Sequence, residues 1–137
     1  MYALQEGHLD LPTDWEDQSV NVFAPPGAKS QGLSLVVTRE PLPPATDIRA
    51  YAEAEVKRMG KELKAFSLLA RHPLEIGDQA IEAYEVRWKS DKGLVHQLLA
   101  AVEADGRALI FTATKPVDMA PALRDRLLAV IQSFRKA

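Results

Sequence analysis

Histidine is the residue type in this chain best suited to acid–base or metal chemistry, and the three copies are His8, His72 and His96. None is followed by a second histidine at the spacing that places two metal ligands on one side of a helix or strand. His96 alternates with Leu94 and Leu98, so it faces either the core or a strand edge. The histidines therefore predict no metal site.

The other chemically active residues form no catalytic set. Asp14, Glu16 and Asp17 surround Trp15, and this pattern is typical of a solvated turn. The chain has no cysteine, which excludes disulfides, thiolate zinc sites and cysteine nucleophiles. It also contains neither a glycine-rich phosphate loop nor a Gly-x-Ser-x-Gly elbow. We therefore expect a protein that is not an enzyme and needs no cofactor.

Length and charge limit the number of domains, the partners and the location that we expect for this protein. The 137 residues fit one domain, 1–137. The net charge of −2 comes from interspersed acids and bases, so nucleic acid is not an expected partner. No run approaches the ~20 apolar residues of a membrane span, so stable membrane insertion is not expected. Glu6 and Asp10 interrupt the first ten residues, which argues against a secretory signal and for a cytoplasmic location.

Apolar periodicity predicts which elements could position a binding site. The class is α+β: a twisted antiparallel sheet of about six or seven strands, flanked by two main helices. We expect Thr46 or Asp47 to cap the first helix, which runs to about Lys64, and Asp118 to cap the last. The first two predicted strands, 9–12 and 18–24, are expected to form a pair joined by a turn at Trp15. The others cover 33–39, 66–76 with an irregular centre, 80–89 (half-solvated), 94–103 and 108–115.

Several strands are apolar on both sides, so each sheet face needs a cover. Two helices cover one face, and the cover of the other face is the functional question. That second face carries apolar residues interleaved with small or polar ones, namely Val20, Val22, Val36, Val95 and Leu99 with Ser34, Thr38 and Gln97. It could be an ordinary core face, a homodimer interface, or a groove that shelters an apolar helix.

The opening run Leu9 to Phe23, with Trp15, Asp17 and Ser19-Val20-Asn21, resembles the DcrB-related domain family. More narrowly, it resembles the Eag chaperones, the effector-associated chaperones of bacterial type VI secretion. The similarity continues through Ser34 to Arg39, the helix around Tyr51 to Phe66, Tyr84 to Trp88, and His96-Gln97.

The resemblance implies a PsbP-like sandwich, a homodimer and a chaperone function. The partner it implies is the N-terminal transmembrane region of a PAAR-containing, Rhs-type effector, which the chaperone keeps in solution and helps to load on the VgrG spike. Glu55 departs from the family, which carries a polar amide there. The expected client-binding residues are Val20, Val22, Ser34, Val36, Thr38, Glu55, Met59, Leu63, Gln97 and Leu99.

Two other functions remain open at this point. A wide groove could hold an acyl chain, which would make the protein a small-ligand or lipid-binding module. Alternatively, the polar loop from Asp14 to Asp17 could bind a folded protein, which would make it a regulator.

Overall fold

The computed structural model describes the backbone of residues 1–137 and every side chain except those of residues 28 and 29. It has eight strands, two α-helices and one short 3-10 helix. They are β1 (Tyr2–Ala3), β2 (His8–Leu9), β3 (Asn21–Phe23), the 3-10 helix (Gly27–Ser30), β4 (Ser34–Pro41), α1 (Ile48–Glu62), β5 (Lys64–Ile76), β6 (Gln79–Ser90), β7 (Gly93–Ala104), β8 (Arg107–Pro116) and α2 (Pro121–Gln132).

Six strands form one antiparallel sheet in the order β3-β4-β8-β7-β6-β5, and β1 pairs with β2 separately. The predicted α+β class with two main helices is confirmed. Strands β5 to β8 follow one another through tight turns. At the β7–β8 turn, Asp105 and Gly106 both have positive φ, 53° and 73°, as the predicted Asp-Gly hairpin requires.

Helix α1 begins where the sequence predicted. The Asp47 carboxylate accepts a hydrogen bond from the Ala50 N–H at 2.7 Å, which is the expected N-cap. The helix ends at Glu62, two residues before the predicted limit, because Lys64 already begins β5. The buried side chain of Val56 packs against Tyr84 and Val86 of β6, so α1 lies on the sheet face to which those residues point.

Helix α2 lies on the opposite face, where Leu127 packs with Leu98 and Ala113, so the expectation that the two helices cover one face is wrong. The prediction that Asp118 caps this helix is wrong. The N-cap position is Ala120, and it provides no side-chain hydrogen bond. The Asp118 carboxylate instead accepts a hydrogen bond from Arg87 Nη2 at 2.6 Å, a partner on β6 that local spacing does not reveal.

The first predicted strand pair is also wrong. Residues 9–12 do not pair with residues 18–24. Leu9 lies opposite Tyr2, and the later strand shortens to Asn21–Phe23 on the edge of the main sheet. Within the part of the chain described here, neither helix has the length and apolar content that crossing a bilayer requires.

Candidate binding face of the sheet

The register of the sheet collects a set of half-exposed side chains on one surface. Residues directly opposite each other in an antiparallel pair point to the same face. Val36 lies opposite Val22 on one side and Thr112 on the other, and Thr112 lies opposite Leu99. We call this surface the open face, and its members are Val22, Ser34, Val36, Thr38, Gln97, Leu99, Ile110, Thr112 and Thr114.

Helix α1 covers only part of this side of the sheet. It packs over β5, β6 and β7, and leaves the strip formed by β3, β4 and β8 without a helix. Between α1 and that strip lies a cleft of about 230 Å³. Its walls include Met59 and Glu55 from α1 and Thr38, Ile110 and Thr112 from the strands. The cleft is therefore a mainly apolar trough with hydroxyl groups in its floor.

The structure brings together six of the ten predicted site residues directly on the open face. These are Val22, Ser34, Val36, Thr38, Gln97 and Leu99. Four others surround it. Val20 precedes β3 and is 56% exposed, and Glu55 and Met59 line the cleft from α1. Leu63 is more distant, because it follows the last residue of α1 and lines a separate surface depression with Trp88.

Gln97 has its amide engaged within the sheet. Its Oε1 accepts a hydrogen bond from Trp88 Nε1 at 2.8 Å, and its Nε2 donates to Thr114 Oγ1 at 3.0 Å. Because the indole N–H can only donate, this contact fixes the orientation of the amide. The Thr114 oxygen accepts from Gln97, so its own proton remains available for another acceptor. The floor of the open face thus combines a fixed amide with a hydroxyl group that can still donate.

The rim of the cleft is charged. Glu55 pairs with Arg58 at 2.5 Å on the exposed side of α1, so the carboxylate that departs from the family pattern is neutralised locally. The Tyr51 hydroxyl donates to Glu40. Burial, together with that hydrogen bond and the negative charge of Glu40, raises the pKa of Tyr51 well above its usual range. Tyr51 therefore stays neutral and provides an aromatic wall.

Sequence reasoning missed the contribution of β8. Ile110, Thr112 and Thr114 alternate with buried residues such as Phe111 and Ala113, and this alternation is the signal that could have identified them. The pattern indicates only which residues share a face. These residues lie beside Val36 because β8 pairs with β4. That pairing joins distant parts of the chain, so the sequence of β8 alone does not predict it.

The opposite side of the sheet, covered by α2, is closed, and we call it the closed face. Its members include Val37, Glu85, His96, Leu98, Phe111 and Ala113, all buried. Strand β6 is therefore not half-solvated as predicted. Glu85 is buried because α2 covers this side and because three cationic or polar groups approach its carboxylate.

Glu85 lies at the centre of a hydrogen-bonded cluster. Its oxygens are 2.8 Å from His72 Nε2 and 2.7 Å from His96 Nε2, and Arg124 of α2 lies 3.8 Å away. Burial alone would raise the pKa of Glu85, but the hydrogen bonds from His72 and His96 outweigh it and hold that pKa below its usual value. Among the side chains that the structure describes, no three His, Asp or Glu residues are arranged to hold a metal ion.

Comparison with solved structures defines the class to which this fold belongs. The crystal structure of PA94, a protein of unknown function from Pseudomonas aeruginosa, matches with a TM-score of 0.79 and 23% identity, covering 99% of this chain and 95% of that one. The solution structure of the cyanobacterial PsbP protein CyanoP from Synechocystis sp. PCC 6803 matches with a TM-score of 0.62 and 14% identity, covering 86% and 82%. The predicted PsbP-like fold is confirmed.

Comparison of the sequence assigns the chain to a particular protein family. The family model DcrB matches residues 6–133, and the chain belongs to that family. It is also 26% identical over 121 residues to a Pseudomonas aeruginosa protein named effector EagT6, which covers 87% of this chain and 84% of that protein. The resemblance to DcrB-related and Eag-type proteins is thus confirmed. The name of EagT6 is not that of an enzyme.

Proposed function

We propose that this protein is an effector-associated chaperone of a type VI secretion system, and that its open face binds an apolar transmembrane helix of the effector. The observation that carries the proposal is the open face itself. Val22 is 64% exposed at one side of the face, and the half-buried side chains of Val36, Ile110 and Leu99 continue its apolar surface toward the cleft beside α1. Similarity to EagT6 and membership of the DcrB family support the secretion context.

The chemistry of the open face suits such a helix. An apolar helix in water gains ~25 cal/mol for each Å² of apolar surface that it buries. Small residues on the helix would permit close approach to the flat β-surface, and each hydrogen bond between side chains would add ~0.6 kcal/mol. The hydroxyl groups of the face, such as that of Thr114, could donate to hydroxyl or carbonyl oxygens of the helix. The face would therefore imitate a neighbouring membrane helix.

The finer partners follow from the resemblance and are proposals too. The helix would come from the N-terminal region of a PAAR-containing, Rhs-type effector, and the chaperone would act in the cytoplasm until the effector is loaded on VgrG. We also propose a homodimer. Strand β5 is a free edge that exposes Leu68 and Leu69, and unpaired edges of this kind favour association with another chain. Light scattering of the purified protein would measure the dimer directly.

Co-expression with a PAAR-containing effector from the same genome tests the function. The effector should co-purify with the chaperone when its N-terminal helices are present and should be lost when they are deleted. Equal recovery of both forms would contradict the binding mode. Native mass spectrometry of the complex distinguishes the lipid alternative, because a bound lipid mass in place of the effector would overturn the proposal.

A pair of matched variants localises the binding. Val22 on the open face and Val130 on the outside of α2 are both exposed, at 64% and 51%. Glutamate at either position should leave the fold intact, since exposed substitutions usually change stability by about 0.5 kcal/mol or less. Val22→Glu should abolish co-purification, because a docked helix would bury its unpaired charge. Val130→Glu should retain the effector, and the opposite result would refute the proposed face.

A further inference from the structure

One ring nitrogen of His96 lies within hydrogen-bonding distance of two groups that require opposite proton states. Nδ1 is 2.9 Å from the backbone N of Met119, whose N–H points at it, and 3.1 Å from Asp118 Oδ1. A ring nitrogen holds either a lone pair or a proton. It can accept from Met119 or donate to Asp118, but it cannot do both.

The neutral imidazole satisfies all of its surroundings. Nε2 donates to Glu85 Oε2 at 2.7 Å, and Nδ1 accepts from the Met119 N–H. Asp118 does not need the imidazole, because it is exposed and already accepts from Arg87 at 2.6 Å. The residue that depends on the neutral form is Met119, which is only 3% exposed. If His96 is protonated, the buried Met119 N–H loses its acceptor.

The charges around the ring come from every element packed against it. Glu85 of β6 and Asp118 of the connecting segment contact the ring itself. His72 of β5 and Arg124 of α2 contact Glu85, and Arg87 of β6 contacts Asp118. Lys115 of β8 lies opposite His96 in the sheet, and Asp125 contacts Arg124.

The segment that Met119 anchors is under backbone strain. Val117 has a φ of +68°, a left-handed conformation that costs energy for a β-branched residue. Such a conformation persists only when neighbouring contacts hold it. Here the contacts are the Val117 N–H to the Leu94 carbonyl at 2.7 Å, the Asp118 N–H to the Pro116 carbonyl at 2.8 Å, Arg87 to the Asp118 carboxylate, and the Met119 N–H to His96. Of these contacts, the one at Met119 lies nearest to α2 in the sequence and joins that residue to the sheet, and its loss weakens the hold on the turn that leads into α2.

We propose that the protonation state of His96 controls how firmly the segment before helix α2 is held. We call the hydrogen bond from the Met119 N–H to His96 Nδ1 the latch. The neutral ring fixes Met119 and keeps residues 117–120 in place. In the protonated ring Nδ1–H donates a hydrogen bond to Asp118 and can no longer accept one from Met119, so acidification loosens this segment while Leu127 and Ile131 still hold the rest of α2 on the sheet. The latch lies on the closed face and does not depend on the proposed chaperone function.

Nuclear magnetic resonance of the purified full chain tests the latch. The ¹⁵N shifts of His96 should show a neutral ring that carries its proton on Nε2. As His96 protonates, the protection factor of the Met119 amide, which is corrected for the intrinsic pH dependence of exchange, should fall by about tenfold, the equivalent of one lost hydrogen bond. A proton on Nδ1 of the neutral ring, or constant Met119 protection throughout the titration of His96, would overturn the proposal.

Two variants separate the latch from a general effect of acid. In His96→Gln the side chain cannot be protonated, and Met119 protection should no longer change over the pH range in which wild-type His96 titrates. His72→Gln removes the other imidazole on Glu85 and should keep the pH-dependent fall. If the fall disappears only in His72→Gln, the latch is assigned to the wrong residue. Should His96→Gln not fold, the wild-type ¹⁵N shifts and protection still decide the question.

Discussion

The two faces of the sheet are built from the same strands but have different covers. Neighbouring residues on one strand show the contrast: Leu98 is fully buried under α2, whereas Gln97 and Leu99 remain half-buried on the open face. On β4 the same holds for Val37 and Val36. One face has the packing of a core, and the other keeps apolar surface that the chain's own helices do not cover. That difference is the reason for proposing a binding role for one face only.

Truncating adjacent leucines gives the largest expected contrast. Leu98→Ala should lower the free energy of unfolding by about 2–5 kcal/mol, because it leaves a cavity in a closed core. Leu99→Ala, one residue away on the open face, should cost about 1–2 kcal/mol, since only part of its surface is buried. Urea denaturation measures both. An equal or larger loss for Leu99 would show that the open face is itself a closed core.

Acid sensitivity should belong to the closed face. The pKa of Glu85 in the folded protein lies below its ordinary value of 4.5, so ionised Glu85 stabilises the fold. This stabilisation is complete above that value and is lost as pH falls through the lower, folded-state pKa. Glu85→Gln should lose about 2 kcal/mol of unfolding free energy at neutral pH. It should also weaken the acid-induced destabilisation.

The control for this prediction is Glu75→Gln, which changes an exposed carboxylate on β5. It should retain the wild-type dependence of the urea midpoint on pH. If the urea midpoints of Glu85→Gln and of the wild type fall equally at low pH, the buried cluster does not govern acid stability.

The smallest expected contrast comes from adding volume to neighbouring positions of β8. Ala113 is fully buried, so Ala113→Val should overpack the closed face and cost about 1–3 kcal/mol. Thr112→Val keeps the shape of the side chain on the open face and should change the unfolding free energy by about 0.5 kcal/mol or less. Thermal denaturation compares the two. A cost for Thr112→Val that matched Ala113→Val would remove the distinction between the faces.

Much of the open face could be predicted because it depends on alternation within strands. Val36 and Thr38 share a side by spacing alone, and a turn at Asp105-Gly106 follows from residue type. Helix α1 was placed by a local signal as well, since the Asp47 cap lies within three residues of its partner, Ala50. These features require no knowledge of the rest of the chain.

The closed face could not be predicted in the same way. Asp118 has the residue type of a helix cap, but its contacts are with Arg87 and His96, which lie 31 and 22 positions away in the sequence. Glu85 looks like a solvated strand residue until α2 and two histidines surround it. Contacts between distant elements decide the role of each of these residues, and a local pattern cannot show them.

Site-specific photo-cross-linking tests the central claim most directly. A benzophenone amino acid would replace Val22 on the open face or, as the matched control, Val130 on α2, in cells that express a PAAR-containing effector from the same genome. We predict that position 22 forms an adduct whose cross-linked peptide lies in the N-terminal transmembrane segment of that effector, and that position 130 does not. Adducts to that segment from position 130 and none from position 22 would contradict the account.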